Sequence, residues 1–415
     1  MKNPIATAGY WNALLISLIL ASLVPGATAS AEQTIDVLAW GGPPATVDKL
    51  SEMRDAGFTV SFTGFGDVDA MLKGLDAAKE AGVKLLVSCP QLKTDPQGTA
   101  TKLKSHPALA GYFLQDEPAA QAFPELAAWT RQIHAADPAH ITYTNLFPNY
   151  ATPEQLGAAN YEKYLEDFTK IVPSPILSFD HYPVIQSGSA PAELRSNWYE
   201  NLELASAAAR RAGVPLWAFA LSTHHFSYPT PTLAHLRVQV FSDLAYGAQV
   251  IQYFTYWQAG AANDPTFIDA PIMRDGKRTV AYDRVKQVNA EIQGLAPAFV
   301  GSKVVAVGHI GQTIPQGTHR YKAQAPIASI KNESAATDGA LVSLLEKGDQ
   351  RFLVVVNRDI NRAGTYPIAL DGSKEAASIQ RLEKDGTLHA QAGRTIKIEL
   401  SPGDAAVFEW KADRK

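Results

Sequence analysis

From residue 34 onward, short apolar runs alternate with longer segments whose apolar positions recur every three or four residues. The first pattern is that of buried strands and the second that of amphipathic helices. Strands are predicted at 34–40, 58–65, 83–88, 109–117, 141–146, 176–182, 215–221 and 249–257. Helices are predicted at 45–56, 67–81, 99–106, 124–136, 153–171, 192–212, 232–246 and 279–295. Gly57, Gly82, Gly213 and Gly247 stop the helices they follow. In the fifth helix, Tyr161, Tyr164, Leu165 and Phe168 share a face. Strand and helix alternating eight times in roughly 265 residues is the arithmetic of a (β/α)8 TIM barrel. A doubly wound sheet is the alternative, but no Gly-x-Gly-x-x-Gly follows the first strand.

Past residue 299 the grammar changes. Alternating runs at 340–345, 351–356, 366–370, 379–382, 395–400 and 405–410 are separated by turn signals such as Asp371-Gly372, Asp385-Gly386 and Pro402-Gly403. They predict a small antiparallel β-sandwich. Asn332-Glu333-Ser334 in this region matches a glycosylation acceptor. At the other end, Lys2, an apolar stretch over 14–24 and the small residues Ala27, Ala29 and Ala31 have the form of a secretory signal peptide. The expected organisation is a leader over 1–31, a barrel over 32–298 that carries the chemistry and a sandwich over 299–415. The expected location is secreted or periplasmic, with no stable membrane insertion after cleavage.

Charge and cysteine content narrow the partners. A net charge of −4 over 415 residues, with no basic stripe, argues against nucleic acid. The single cysteine, Cys89, excludes an intramolecular disulfide. It follows an apolar run and reads as a packing residue.

The stretch Leu109 to Pro118, Leu-Ala-Gly-Tyr-Phe-Leu-Gln-Asp-Glu-Pro, organises the rest. It begins as a buried strand and ends on two acids and a proline. Pro118 cannot extend a strand ladder, so the strand stops near Glu117. Carboxylates at the end of an apolar strand are costly to bury unless paired or used. In a parallel barrel all strand ends face one mouth. The other ends supply Trp40; Gln115 beside the acids; Asn145; Asp180, His181 and Tyr182; His224; and Gln252, Tyr256 and Trp257. Carboxylates, amides and flat aromatics converging on one mouth suit a sugar, which has many hydroxyls and apolar faces.

These endings resemble the large clan of (β/α)8 glycoside hydrolases whose acid/base Glu closes strand four. Asp116-Glu117-Pro118 matches that placement, with Asp where Asn is common. Asp180-His181-Tyr182 resembles the clan's strand-six ending, and Tyr256-Trp257 its aromatic platform. The resemblance implies a glycosidase acting on a carbohydrate, without a cofactor. One departure stands out: residues 215–223 carry no acid where the clan has its nucleophile.

Three repairs are open. Asp180 serves as nucleophile or base; Asp116 orients a substrate acetamide that attacks its own anomeric carbon; or the protein binds sugar without cleaving it. Adjacent strand residues point to opposite faces, so Asp116 and Glu117 do not both face the lumen of a regular strand. Glu117 is therefore assigned the acid role, with a raised pKa. Asp180 is the preferred second carboxylate, at the longer of the two separations used by glycosidases. No metal site is expected, because adjacent His224 and His225 point apart and no ligand set has metal spacing.

Overall fold

The computed structural model describes residues 33–260, 264 and 266–412. The expected leader over 1–31 lies outside the described residues. Eight strands form a closed parallel barrel: β1 (Asp36–Trp40), β2 (Val60–Gly64), β3 (Lys84–Ser88), β4 (Leu109–Asp116), β5 (Ile141–Leu146), β6 (Leu177–Phe179), β7 (Leu216–Leu221) and β8 (Ala248–Phe254). They follow one another in chain order and β8 pairs with β1. The outer helices are α1 (Val47–Asp55), α2 (Val68–Ala81), α3 (Pro96–Leu103), α4 (Phe123–Ala136), α5 (Tyr161–Ile171), α6 (Trp198–Ala212), α7 (Leu233–Ala245) and α8 (Val280–Gly294).

Strand alternation builds two cores. In β1, Val37 and Ala39 join the layer between strands and helices, while Leu38 and Trp40 join the barrel interior. That double burial explains the uninterrupted apolar runs. The interior is aromatic towards the mouth: the Trp40 ring lies 4.7 Å from Phe62, 5.4 Å from Phe113 and 5.4 Å from Phe219.

Several predicted elements end differently, among them the strand over 176–182, which is confined to Leu177–Phe179. Gly157, at φ 63°, splits the helix over 153–171 into Pro153–Leu156 and α5. The face of α5 is as expected, with Tyr161, Tyr164, Leu165 and Phe168 all buried. The helix over 192–212 begins only at Trp198, because Glu193–Leu194 pair with Val184–Ile185 in a hairpin. The strand over 249–257 stops at Phe254. Beyond it the chain stays beside the end of β1, but the regular alternation is lost: Tyr256 N–H reaches Trp40 O and Trp257 N–H donates to Gly41 O at 3.0 Å. The Tyr256 ring packs outside the barrel, fully buried 5.0 Å from Phe58. Tyr256 is therefore a packing residue, not a wall of the mouth.

The C-terminal strands are β9 (Lys303–Ile310), β10 (Ile327–Ile330), β11 (Ala340–Lys347), β12 (Gln350–Asn357), β13 (Gly364–Leu370), β14 (Gln380–Leu382), β15 (Leu388–Ala390), β16 (Thr395–Leu400) and β17 (Ala405–Lys411). They make an antiparallel sheet ordered β9-β11-β12-β17-β14-β15 and a smaller one ordered β10-β13-β16. One face of the large sheet packs on α7. This explains why α7 is buried nearly all round rather than along one stripe. A half-buried charge network seals the junction. Arg237 of α7 chelates Glu291 of α8 and lies 3.7 Å from Asp404, and Lys384 pairs with both acids.

The Tyr256 hydroxyl is buried without a partner. Tyr256→Phe should therefore leave urea unfolding unchanged or raise its midpoint. Tyr256→Ala should cost about 3–5 kcal/mol, as loss of a core aromatic does.

Candidate active site

The backbone of β4 solves the parity problem posed by two adjacent acids. Along the β4–β5 ladder, Phe113 pairs with Tyr143, Gln115 with Thr144 and Asp116 with Asn145. The register shifts between Phe113 and Gln115, so Leu114 is an extra residue on β4. Such a bulge reverses the alternation beyond it. Phe113 and Asp116 then both face inward, and Gln115 does not line the pocket. Glu117 turns out of the strand at φ 43°, a left-handed conformation unusual for a glutamate. Its N–H still donates to Asn145 O at 2.9 Å, and Tyr164 OH donates to Pro118 O at 2.7 Å. Between them these bonds hold the turn, and both acids reach one pocket.

That pocket has a volume of about 220 Å³ at the carboxyl end of the strands. Asp116, Glu117, Asn145 and Asp180 form its β4–β6 wall. Trp40, Phe219, Phe254, His225 and Tyr228 form the side built from β1, β7 and β8 and their loops. Tyr150 and Tyr182 complete the rim. Tyr182 stacks on Phe254 at 5.8 Å.

The acids form one electrostatic unit. Asn145 Nδ2 donates to Asp116 Oδ1 at 3.1 Å and to Asp180 Oδ1 at 2.9 Å. Asp180 and Asp116 both lie close enough for their charges to act on the Glu117 carboxyl. Burial pushes the Glu117 carboxyl well above the usual range, and the charges of Asp180 and Asp116 push it further. Asp180 is raised by burial and by Asp116, against the hydrogen bond from Asn145. Asp116 is raised by its enclosure and held down by Asn145.

A buried chain below orients Asn145. Ser178 Oγ donates to Asn145 Oδ1 at 3.0 Å and accepts from Gln252 Nε2 at 2.9 Å. Tyr143 OH donates to Gln252 Oε1 at 2.7 Å. The amide oxygen of Asn145 is thus engaged from beneath, and its NH₂ is left for the two aspartates.

Of the residues expected at the mouth, Trp40, Asp116, Glu117, Asn145, Asp180 and Tyr182 line the pocket. Gln252 lies one layer below, fully buried in the chain just described. His181 points away, its Nδ1 on Asn201 Oδ1 at 3.1 Å, and Tyr150 packs on its ring at 4.9 Å. Burial lowers the His181 pKa to about 3, so the ring is neutral. His224 pairs with Ile268 outside the pocket, while its neighbour His225 faces in. The two histidines do point apart, but the site takes the other one. Trp257 lines a neighbouring depression of about 360 Å³, which shares Trp40 and Phe254 with the pocket.

Sequence reasoning missed Tyr150, Phe219, His225, Tyr228 and Phe254. Phe219 was open to it, because it is two residues before the end of β7 on the inward parity. Tyr150 and Tyr228 sit in loops whose paths no periodicity records. Among the described residues, no three His, Cys, Asp or Glu side chains gather at metal-binding spacing.

No protein-family model and no curated protein matches the chain. Solved structures are similar in fold. One is a β-galactosidase from Bacillus circulans sp. alkalophilus, at TM-score 0.57 and 10% identity, covering 91% of this chain and 99% of that one. Another is an α-amylase from Anoxybacillus, at TM-score 0.53 and 13% identity, covering 93% and 100%. A β-galactosidase from Marinomonas ef1 aligns at TM-score 0.46 and 12% identity, over 63% of this chain and 60% of its own length. The first two share the closed eight-stranded barrel with this chain; at such identities the likeness is one of fold.

The acid cluster makes a stability prediction. A carboxyl whose folded pKa is raised binds its proton more tightly when folded. Its contribution to stability therefore falls as pH rises from the unfolded value of about 4.3 through the raised folded one. Glu117→Gln removes that loss. Its melting temperature should exceed wild type by a few degrees at pH 8 and match it at pH 4. A lower melting temperature at pH 8 would contradict the raised Glu117.

Proposed function

We propose that the protein is a secreted glycoside hydrolase in which Glu117 protonates the leaving glycosidic oxygen. The observation that carries this reading is a glutamic acid kept protonated by burial and two neighbouring aspartates, opening into a one-ring pocket with aromatic walls. The aromatic faces suit the apolar faces of a pyranose, and the carboxyl and amide groups suit its hydroxyls. The likeness in fold to a β-galactosidase and an α-amylase supports the same class. In the proposed reaction the proton of Glu117 passes to the leaving oxygen as the anomeric C–O bond breaks. Water then supplies the hydroxyl to the anomeric carbon and returns a proton to the site.

The second catalytic role is where the geometry departs from expectation. Carboxyl groups flanking a scissile bond stand about 5–5.5 Å or 6.5–9.5 Å apart. Glu117 and Asp180 are neighbours on one wall, not partners across the pocket. The three pocket carboxyls share one wall, and the residues across from it are aromatic or histidine. This favours a second reading of the same site. Asp116, brought inward beside Glu117 by the bulge, orients the 2-acetamido group of the substrate, whose carbonyl oxygen attacks the anomeric carbon.

Purified protein assayed on aryl glycosides with and without a 2-acetamido group tests both readings. Glu117→Gln should cut turnover of natural glycosides by at least about 10²-fold, and that of substrates with good leaving groups by less. Hydrolysis confined to acetamido sugars selects substrate assistance. Glycan binding without hydrolysis of any panel member would make the protein a carbohydrate-binding barrel instead.

Asp180→Asn gives a separate check by pH profile. It removes the charge that raises Glu117, so the alkaline limb of kcat/KM should move to lower pH. A limb that stays in place would deny Asp180 this tuning.

A further inference from the structure

Three non-glycine residues of the described chain adopt positive φ: Glu117, Phe226 at 48° and Asp269 at 56°. All three lie in the loops at the carboxyl end of the barrel strands. Strain held at such positions marks places where geometry is fixed for use. Glu117 has its role in the pocket, and the side chain of Asp269 accepts a hydrogen bond from Thr230 Oγ1 at 2.7 Å. Phe226 has neither, yet among the described residues it is the most exposed of the large hydrophobic side chains, at 67%.

Its exposure is held rather than incidental. Phe226 and Ser227 form the tip of a turn closed by two bonds, His225 N–H to Tyr228 O at 3.1 Å and Tyr228 N–H to His225 O at 2.8 Å. Gln186 N–H ties the tip to the loop after β6 through Ser227 O at 2.9 Å. The Phe226 ring lies 4.3 Å from that of His225, which stacks on Phe267 at 4.2 Å. Phe254 lies 6.0 Å from Phe267 and 6.2 Å from His225. His225 and Phe254 line the pocket. A continuous aromatic surface therefore climbs from the pocket wall to solvent and ends at Phe226.

We propose that Phe226 is an outer carbohydrate-binding residue, stacking on a sugar ring beyond the one held in the pocket. The substrate is accordingly a chain of two or more sugars that leaves the mouth over the loop after β7. The occupant follows from continuity: whatever fills the pocket emerges onto this ramp. The inference rests on the carbohydrate reading of the pocket.

The test compares Glu117→Gln with the double variants Glu117→Gln/Phe226→Gly and Glu117→Gln/Phe226→Ala. The probes are mono- to hexasaccharides of glucose, galactose, mannose, xylose and N-acetylglucosamine. Binding to oligosaccharides should weaken about tenfold in both double variants, as loss of a stacked ring does, with monosaccharide binding within about twofold. Phe226→Gly also relieves the positive φ, so its melting temperature should equal or exceed that of the parent. Unchanged length dependence in both variants would overturn the outer site and leave the pocket reading intact. So would a lower melting temperature in Phe226→Gly with oligosaccharide binding retained, since Phe226 would then be structural. If Glu117→Gln binds no probe and wild type cleaves none, the carbohydrate reading falls and this inference with it.

Discussion

Three carboxyl groups on one wall of a small pocket are the constraint around which the rest is built. Like charges at contact distance cannot all ionise, so the cluster keeps protons that isolated acids would lose. Burial, first, and then the charges of Asp180 and Asp116 raise the Glu117 carboxyl. Asn145 is the polar side chain that donates to both aspartates. Its orientation is dictated from beneath by Ser178, Gln252 and Tyr143, whose bonds are buried. Three strands, β5, β6 and β8, thus cooperate to hold one amide, and that amide holds the acid wall together.

Getting two consecutive acids into one pocket also needs a backbone that breaks the rules of a strand. The extra residue at Leu114 reverses parity for Asp116, and the left-handed turn at Glu117 brings in the second carboxyl. Left-handed backbone at a non-glycine costs on the order of 1–3 kcal/mol and persists only where the surroundings impose it. Here they do: Asn145 O fixes the amide before the turn and Tyr164 OH fixes the carbonyl after it. Tyr164 sits on the apolar face of α5, so ordinary helix packing also sets the position of the acid.

The barrel was legible because its signals are local and repeated. Strands buried on both faces show as apolar runs, and helix stops show as Gly82 or Gly213. What sequence periodicity misses is where regularity ends. Gln115 reads as a mouth residue because a bulge leaves no mark in composition. Tyr256 and Trp257 read as one platform, yet the loss of regular alternation after Phe254 puts one in the core and the other in a separate depression. His225 replaced His224 by a parity decided in a short hairpin with Phe267–Ile268. Tyr150 and Tyr228 come from loops, where three-dimensional proximity has no counterpart in spacing. The acids themselves were found because an apolar strand that ends in Asp-Glu-Pro is costly unless it is used.

On the proposed reading, the uneven distribution of charge has its own logic. A glycosidic transition state gathers positive charge at the anomeric centre while a proton moves to the leaving oxygen. The acid wall can supply both needs at once. Glu117 carries the proton, and the charge left on the Asp116–Asn145–Asp180 group remains fixed nearby, already oriented before the reaction begins. The opposite side offers aromatic rings, whose negative faces tolerate a developing cation better than an aliphatic wall would. An enzyme so arranged does not need a strand-seven carboxylate for electrostatic stabilisation. It needs one only to form a covalent bond, and that is the task a substrate acetamide or a water would take over.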